Sequence, residues 1–75
     1  MDTLNHLPTG KKGTVSSLLS SGAQRRRFLD LGLTPGTVVE ALHQSPAGDP
    51  VAYEIRGAVI ALRREDAEKI RIRPL

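Results

Sequence analysis

The stretch Gly22 to Thr37, GAQRRRFLDLGLTPGT, constrains this 75-residue chain more than any other, because it spells a helix, its stop and a forced change of direction. Ser21 followed three residues later by Gln24 is a capping-box pattern, in which the hydroxyl takes an orphan backbone N–H and the amide reaches back. It predicts a helix that starts at about Gly22 or Ala23. Gly32 ends it, since a left-handed residue is needed just past a helix end and glycine adopts that conformation without steric cost. With Gly32 at the C′ position, Leu33 is expected to fold back on Phe28 in a Schellman closure. Thr34-Pro35-Gly36-Thr37 then puts proline and glycine at the centre of a type II turn, and the chain leaves the helix as a strand.

On the helix, Gln24, Phe28 and Leu31 share one side at the 3.6-residue period, with Leu29 flanking. Arg26, Arg27 and Asp30 fall on the opposite side. Arg25 lies between the directions of Phe28 and Leu29, so its stem is expected to run along apolar surface while the guanidinium reaches water or a partner. Three consecutive arginines serve equally well as a solvated face or as a fork for carboxylate and phosphate oxygens.

Before the helix, residues 1–9 read as a lead-in strand or coil that tucks one or two leucines, Leu4 and Leu7, under the domain. Gly10-Lys11-Lys12-Gly13 is a turn signal and Thr14 to Leu18 a short strand. The Walker spacing of a phosphate loop is absent there. After the helix, Thr37 to Gln44 and Val51 to Arg56 alternate as two strands, with Val39, Ala41, Val51, Tyr53 and Ile55 facing inward. The polar segment Ser45 to Pro50 joins them as a hairpin loop. Arg56-Gly57 makes a tight reversal into Ala58 to Leu62, whose nearly all-apolar run predicts a strand inside a small barrel rather than at an open edge. Arg63 to Lys69 reads as a one- to two-turn helix with its acids early and a lysine late, as the helix dipole favours. Ile70 to Arg73 alternates as the last strand. About five short strands, one helix after the first and a helical turn before the last describe a mainly β fold, a small closed or nearly closed antiparallel barrel in a single domain spanning residues 1–75.

Composition narrows the function. A chain of this length buries roughly 60 to 65% of the surface its unfolded form exposes, which leaves no room for a second domain. It has no cysteine, and so neither a disulfide nor a thiolate site. Its longest apolar runs fall far short of the ~20 residues of a membrane span, and the N-terminus lacks a signal-peptide core. A cytoplasmic protein without membrane insertion is the expectation. The net charge of +3 suits nucleic acid, anionic lipid or an acidic protein surface alike.

No catalytic constellation is visible: the serines have no histidine or acid at a motif spacing, and an enzyme is not expected. His6 and His43 are the only imidazoles, and no H-x-x-x-H or acid-rich loop gathers ligands, so no metal ligand or cofactor is assigned. Base stacking in a basic groove needs exposed aromatics, and Phe28 and Tyr53, the only ones, sit at core-facing positions. That argues against a nucleic-acid partner and leaves recognition of another protein.

Three segments together carry a resemblance: Arg26 to Thr37, then Gly48-Asp49-Pro50-Val51, then Ala61-Leu62-Arg63-Arg64 with Ala67 and Ile70. In order and spacing they resemble the consecutive signatures of ferrous iron transport protein A, the FeoA family, over about Leu7 to Ile72. The resemblance implies an SH3-like barrel and a non-enzymatic cytosolic accessory of the FeoB-type ferrous iron permease, acting on its cytoplasmic GTP-binding part. It leaves Arg26, Arg27 and Asp49 as candidates for partner contact, with Arg25 a local addition; Asp49, before a proline in a loop, is equally suited to bonding local backbone. A similar module also ends the iron- and manganese-dependent repressors of the diphtheria toxin repressor family. The alternative is therefore a small divalent-metal-binding or metal-responsive module using His6, His43 and nearby carboxylates. Oligomeric state is left open.

Overall fold

The computed structural model describes residues 2–75. Met1, part of the expected lead-in segment, lies outside the described residues. The chain runs β1 (Asp2–Thr3), a 3-10 turn (Leu4–His6), β2 (Lys12–Leu18), α1 (Gly22–Asp30), β3 (Val38–Gln44), β4 (Val51–Ile55), β5 (Ala58–Leu62), α2 (Arg64–Ala67) and β6 (Ile70–Pro74).

All strand pairs are antiparallel, in one sheet of order β1-β6-β2-β3-β4-β5. The expected five-stranded barrel thus gains a sixth strand, the two residues of β1, which pair with Ile72 and Arg71 of β6. Register shifts between Val15 and Ser17 in β2 and between Ala41 and His43 in β3 add local twist, and curl the sheet around its buried face. Inward residues alternate as expected: Val39, Ala41, Tyr53, Ile55, Ile70 and Ile72 are buried, and Phe28 of α1 joins them. Leu4 and Leu7 are buried too, which meets the expectation for the lead-in segment.

The helix end forms as its sequence predicts. Leu33 N–H donates to the Phe28 carbonyl at 3.0 Å and Gly32 N–H to the Leu29 carbonyl at 3.0 Å, the two bonds of a Schellman motif. Phe28 and Leu33 are both fully buried, and Gly32 has φ +97°. The following turn closes with Thr37 N–H donating to the Thr34 carbonyl at 3.0 Å. The helix start differs from expectation, because Ser21 makes no side-chain cap bond. Gln24, the expected second half of the box, is drawn to α2 instead.

Two further expectations need correction. Lys12 and Gly13 are strand, not turn: Gly13 is buried in β2, where a Cβ would come within 2.9 Å of Ile72 Cδ1, the movable tip of that side chain, and 3.3 Å of the Arg73 carbonyl oxygen, so the close approach of the strands favours glycine. The apolar run Ala58 to Leu62 is the terminal strand of the sheet rather than an interior one, with Val59 64% exposed. An apolar run gives no sign of which strands flank it, and only Leu62 of β5 is fully committed to the core.

Candidate functional site

Two of the four expected contact residues, Arg27 and Asp49, bond to α2, a single helical turn. On one side, Asp66 of α2 accepts a hydrogen bond from Gln24 Nε2 at 3.1 Å and an ion pair from Arg27 Nη2 at 2.9 Å, both from α1. On the other side, Asp49 of the β3–β4 loop accepts the backbone N–H of Arg64, the first residue of α2, at 2.9 Å. That N–H is one of the orphan donors of a helix start, and Arg63 at the N-cap has no side-chain oxygen to take it. Asp49 does the capping from fifteen positions away in sequence rather than bonding its own loop backbone. Helix α1, turn α2 and the hairpin loop are thereby joined into one surface.

Within it the arginines differ. Arg25 and Arg26 are exposed, and among the described residues neither is hydrogen-bonded or ion-paired. Arg27 is tied to Asp66 and lies 5.4 Å from the Phe28 ring centroid, so its charge is partly answered within the chain. The side chain of Arg27 is 53% exposed, which keeps the pair in the weak class of surface ion pairs.

Beside the loop is a cleft of about 230 Å³, lined among others by His6, Gln44, Asp49, Tyr53, Leu62 and Arg64. Tyr53 stands buried at this cleft, its hydroxyl donating to the Leu4 carbonyl over a long 3.4 Å. Burial, and secondly the negative charge of Asp49, raise the Tyr53 hydroxyl above its ordinary value of 10.0. His6 is at the rim, with Nδ1 3.4 Å from the Thr3 hydroxyl, and His43 is exposed on β3 outside the cleft. Among the described residues no three ligating side chains gather into a metal-binding group. No helix among them is long and apolar enough to cross a membrane.

Sequence reasoning missed two residues that shape this surface. In sequence Asp66 is only an early acid of a short helix, yet it receives both α1 side chains. In sequence Arg56 is only part of a reversal. It adopts φ +53°, packs its stem over Gly32, and donates through Nη2 to the hydroxyls of Thr34 at 3.1 Å and Thr37 at 3.2 Å. Both contacts span long sequence separations, and the residues themselves carry no signal of them.

A family model described as the FeoA domain matches residues 3–74. The Fe(2+) transport protein A/Fe(2+) transporter FeoB fusion protein of Porphyromonas gingivalis is 35% identical over 69 residues, 92% of this chain and 8% of that protein. The chain thus spans about 8% of the length of this curated relative. Among solved structures, the solution structure of the FeoA protein of Chlorobium tepidum superposes with a TM-score of 0.91 at 35% identity, covering 99% of this chain and 70% of that one. The crystal structure of Stenotrophomonas maltophilia FeoA complexed with zinc, described as a prokaryotic SH3 domain protein, superposes with a TM-score of 0.86 at 26% identity. It covers 96% of this chain and 89% of that one.

Proposed function

The chain belongs to the FeoA domain family, and from that premise we propose that it is a non-enzymatic accessory of ferrous iron uptake that docks on the cytoplasmic GTP-binding part of a FeoB-type permease. The observation that carries the reading is the P. gingivalis relative, in which a transport protein A and a FeoB transporter are named as one fusion protein. Iron is the cargo of the membrane partner in this reading. The module contributes a surface.

That surface is the one assembled around α2. Arg25 and Arg26 present the free charge, while Arg27 through Asp66 and Asp49 through the Arg64 N–H fix the helix and loop that display it. Docking biases a conformational equilibrium of the nucleotide-binding partner only as far as the module binds one state better than the other. A basic helix suits a site beside an anionic cytoplasmic leaflet, where each nearby arginine contributes about 1 kcal/mol.

Capture of a FeoB-type cytoplasmic domain by the native chain and by the Arg25→Glu, Arg26→Glu double variant tests the proposal. Neither residue has an internal partner to lose, so the variant folds, as circular dichroism checks. Capture is expected to fall roughly tenfold or more, the scale of losing about 1.4 kcal/mol of binding. Equal capture by both proteins counts against the arginine face.

The zinc complex of the S. maltophilia relative favours a second reading, a divalent-metal-binding module. His6 and Asp49 share a cleft here, but two side chains fall short of the four ligands of a closed zinc site. Calorimetric titration with Zn²⁺ or Fe²⁺ separates the two readings. Tight one-to-one binding, lost in His6→Ala or His43→Ala, would favour the metal module.

A further inference from the structure

The strand Ala58–Leu62 ends the sheet, and we propose that its free edge docks an extended segment of another protein, apolar in its middle and acidic at both flanks. The edge is open in the hydrogen-bonding sense. In an antiparallel hairpin with a two-residue turn the pair next to the turn is bonded and the next is not. Ile55 and Ala58 flank Arg56-Gly57, so Tyr53–Ile60 and Val51–Leu62 are further bonded pairs, and the N–H and C=O groups of Val59 and Ala61 point away from β4. Among the described residues no backbone bond outside the ladder reaches Ala58 to Leu62.

Edges of this kind are normally blunted by charge, proline, bulges or brevity. None of these protects β5. Its sequence is AVIAL, and its pairing with β4 runs without a register shift. The opposite edge, β1, is only two residues long. Val59 is 64% exposed, and Ala58 and Ala61 are exposed with it, an apolar strip on a bonding edge.

Charge selects the occupant. Residues 56–64, RGAVIALRR, hold three arginines and no acid, placed at the two ends of the strand. Arg63 and Arg64 are exposed, Arg56 donates through Nη2 to the Thr34 and Thr37 hydroxyls, and none of the three guanidinium groups is ion-paired among the described residues, where the one ion pair is Arg27–Asp66. A second copy of this chain is a poor occupant. Antiparallel self-pairing about Ile60 would set Arg56 opposite Arg64 at both ends of the ribbon, and like charges directly opposite are destabilising. A segment with acids at those flanks meets the arginines instead, while main-chain bonds at Val59 and Ala61 supply affinity as in other strand additions. The edge adjoins the α1–α2 face at one end, where Arg63 and Arg64 lead into α2, but its outward N–H and C=O groups at Val59 and Ala61 belong to β5 alone, and the inference does not rest on which protein that face meets.

The test uses the full chain labelled with ¹⁵N and two synthetic peptides with a Val-Thr-Val-Thr centre, one flanked by Asp-Glu pairs and one by Lys-Lys pairs. The acidic peptide is expected to shift the amide resonances of Val59 and Ala61 and slow their hydrogen exchange; the basic one is expected to leave them in place. Binding should weaken roughly tenfold or more in the Arg63→Glu, Arg64→Glu variant. Val59→Pro removes an outward N–H at an edge position where proline is tolerated, and should abolish it, whereas Val59→Thr should retain it. Arg25→Glu with Arg26→Glu should leave it unchanged, which separates this outcome from failure of the helix face. No shift at millimolar peptide, equal response to both peptides, shifts centred on α1, or line broadening with protein concentration that marks self-pairing would each overturn the proposal.

Discussion

At Tyr53 and Arg56 single side chains hold together parts of the chain that are distant in sequence. The Tyr53 hydroxyl is raised above its ordinary 10.0 by burial first and by Asp49 second. The folded state therefore keeps the proton longer than the unfolded one. As pH rises, the unfolded chain ionises first, so the stability contributed by the neutral hydroxyl is complete below about pH 10 and is lost as pH climbs through the folded value. Urea midpoints followed from neutral to strongly alkaline pH should show this loss, and Tyr53→Phe should reduce it. At neutral pH that substitution should cost less than about 1 kcal/mol, because the hydroxyl has only a long bond to lose. Arg56 should matter more than an exposed turn residue ordinarily does. Arg56→Ala removes two hydrogen bonds and the stem over Gly32, and should lower stability by about 1–2 kcal/mol. A midpoint unchanged in urea would show the contacts to be idle.

Among the elements, α2 depends most on its neighbours, since four residues are too few for a helix to stand alone. Asp66→Ala should loosen α1 from α2, and a double-mutant cycle with Arg27→Ala should return a coupling of about 0.5–1 kcal/mol that shrinks at high salt. Asp49→Ala should act on the same turn from the other side by exposing the Arg64 N–H, at a cost of about 1 kcal/mol, as for loss of a cap. Zero coupling between Arg27 and Asp66 would separate the helices energetically. These ties explain what sequence could and could not show. The α1 exit was legible to the atom because glycine, proline and the Phe28–Leu33 contact are local chemistry. The α1 entry was not: Gln24 matches a capping box, but a carboxylate 42 positions away offers it a better partner. The helix and loop contact candidates were visible as residue types, yet their joining through α2 was not, because Asp49 and Asp66 act across folded distance. Strand β5 was recognised as a strand and misplaced, since an apolar run records burial tendency and not position in a sheet.

For the molecule as a whole, the decisive contribution comes from its least patterned segment. The 3-10 turn Leu4–His6 packs against α2 and β6, and Leu4 enters the core with no exposed surface. Leu7 N–H donates to the Leu4 carbonyl, and Gly10 N–H to the Ala41 carbonyl at 2.7 Å, so the lead-in is fastened at both ends. The sheet alone leaves its buried face open between β1 and β5, its two unpaired ends. Leu4 and Leu7 help fill that gap. A leucine truncated to alanine in a packed interior costs about 2–5 kcal/mol, and a domain of this size has only about 5–10 kcal/mol in all. Leu4→Ala should therefore lower Tm by roughly 8–40 °C, on a scale of about 4–8 °C per kcal/mol for small domains. It should also weaken partner capture without touching a contact residue, because the anchored turn is what α2 rests on. Val59→Thr, made at an exposed position of β5, should leave Tm within about 4 °C. Calorimetric scans of the two variants decide the point: equal melting would mean that the lead-in segment only covers a barrel already closed by its own strands.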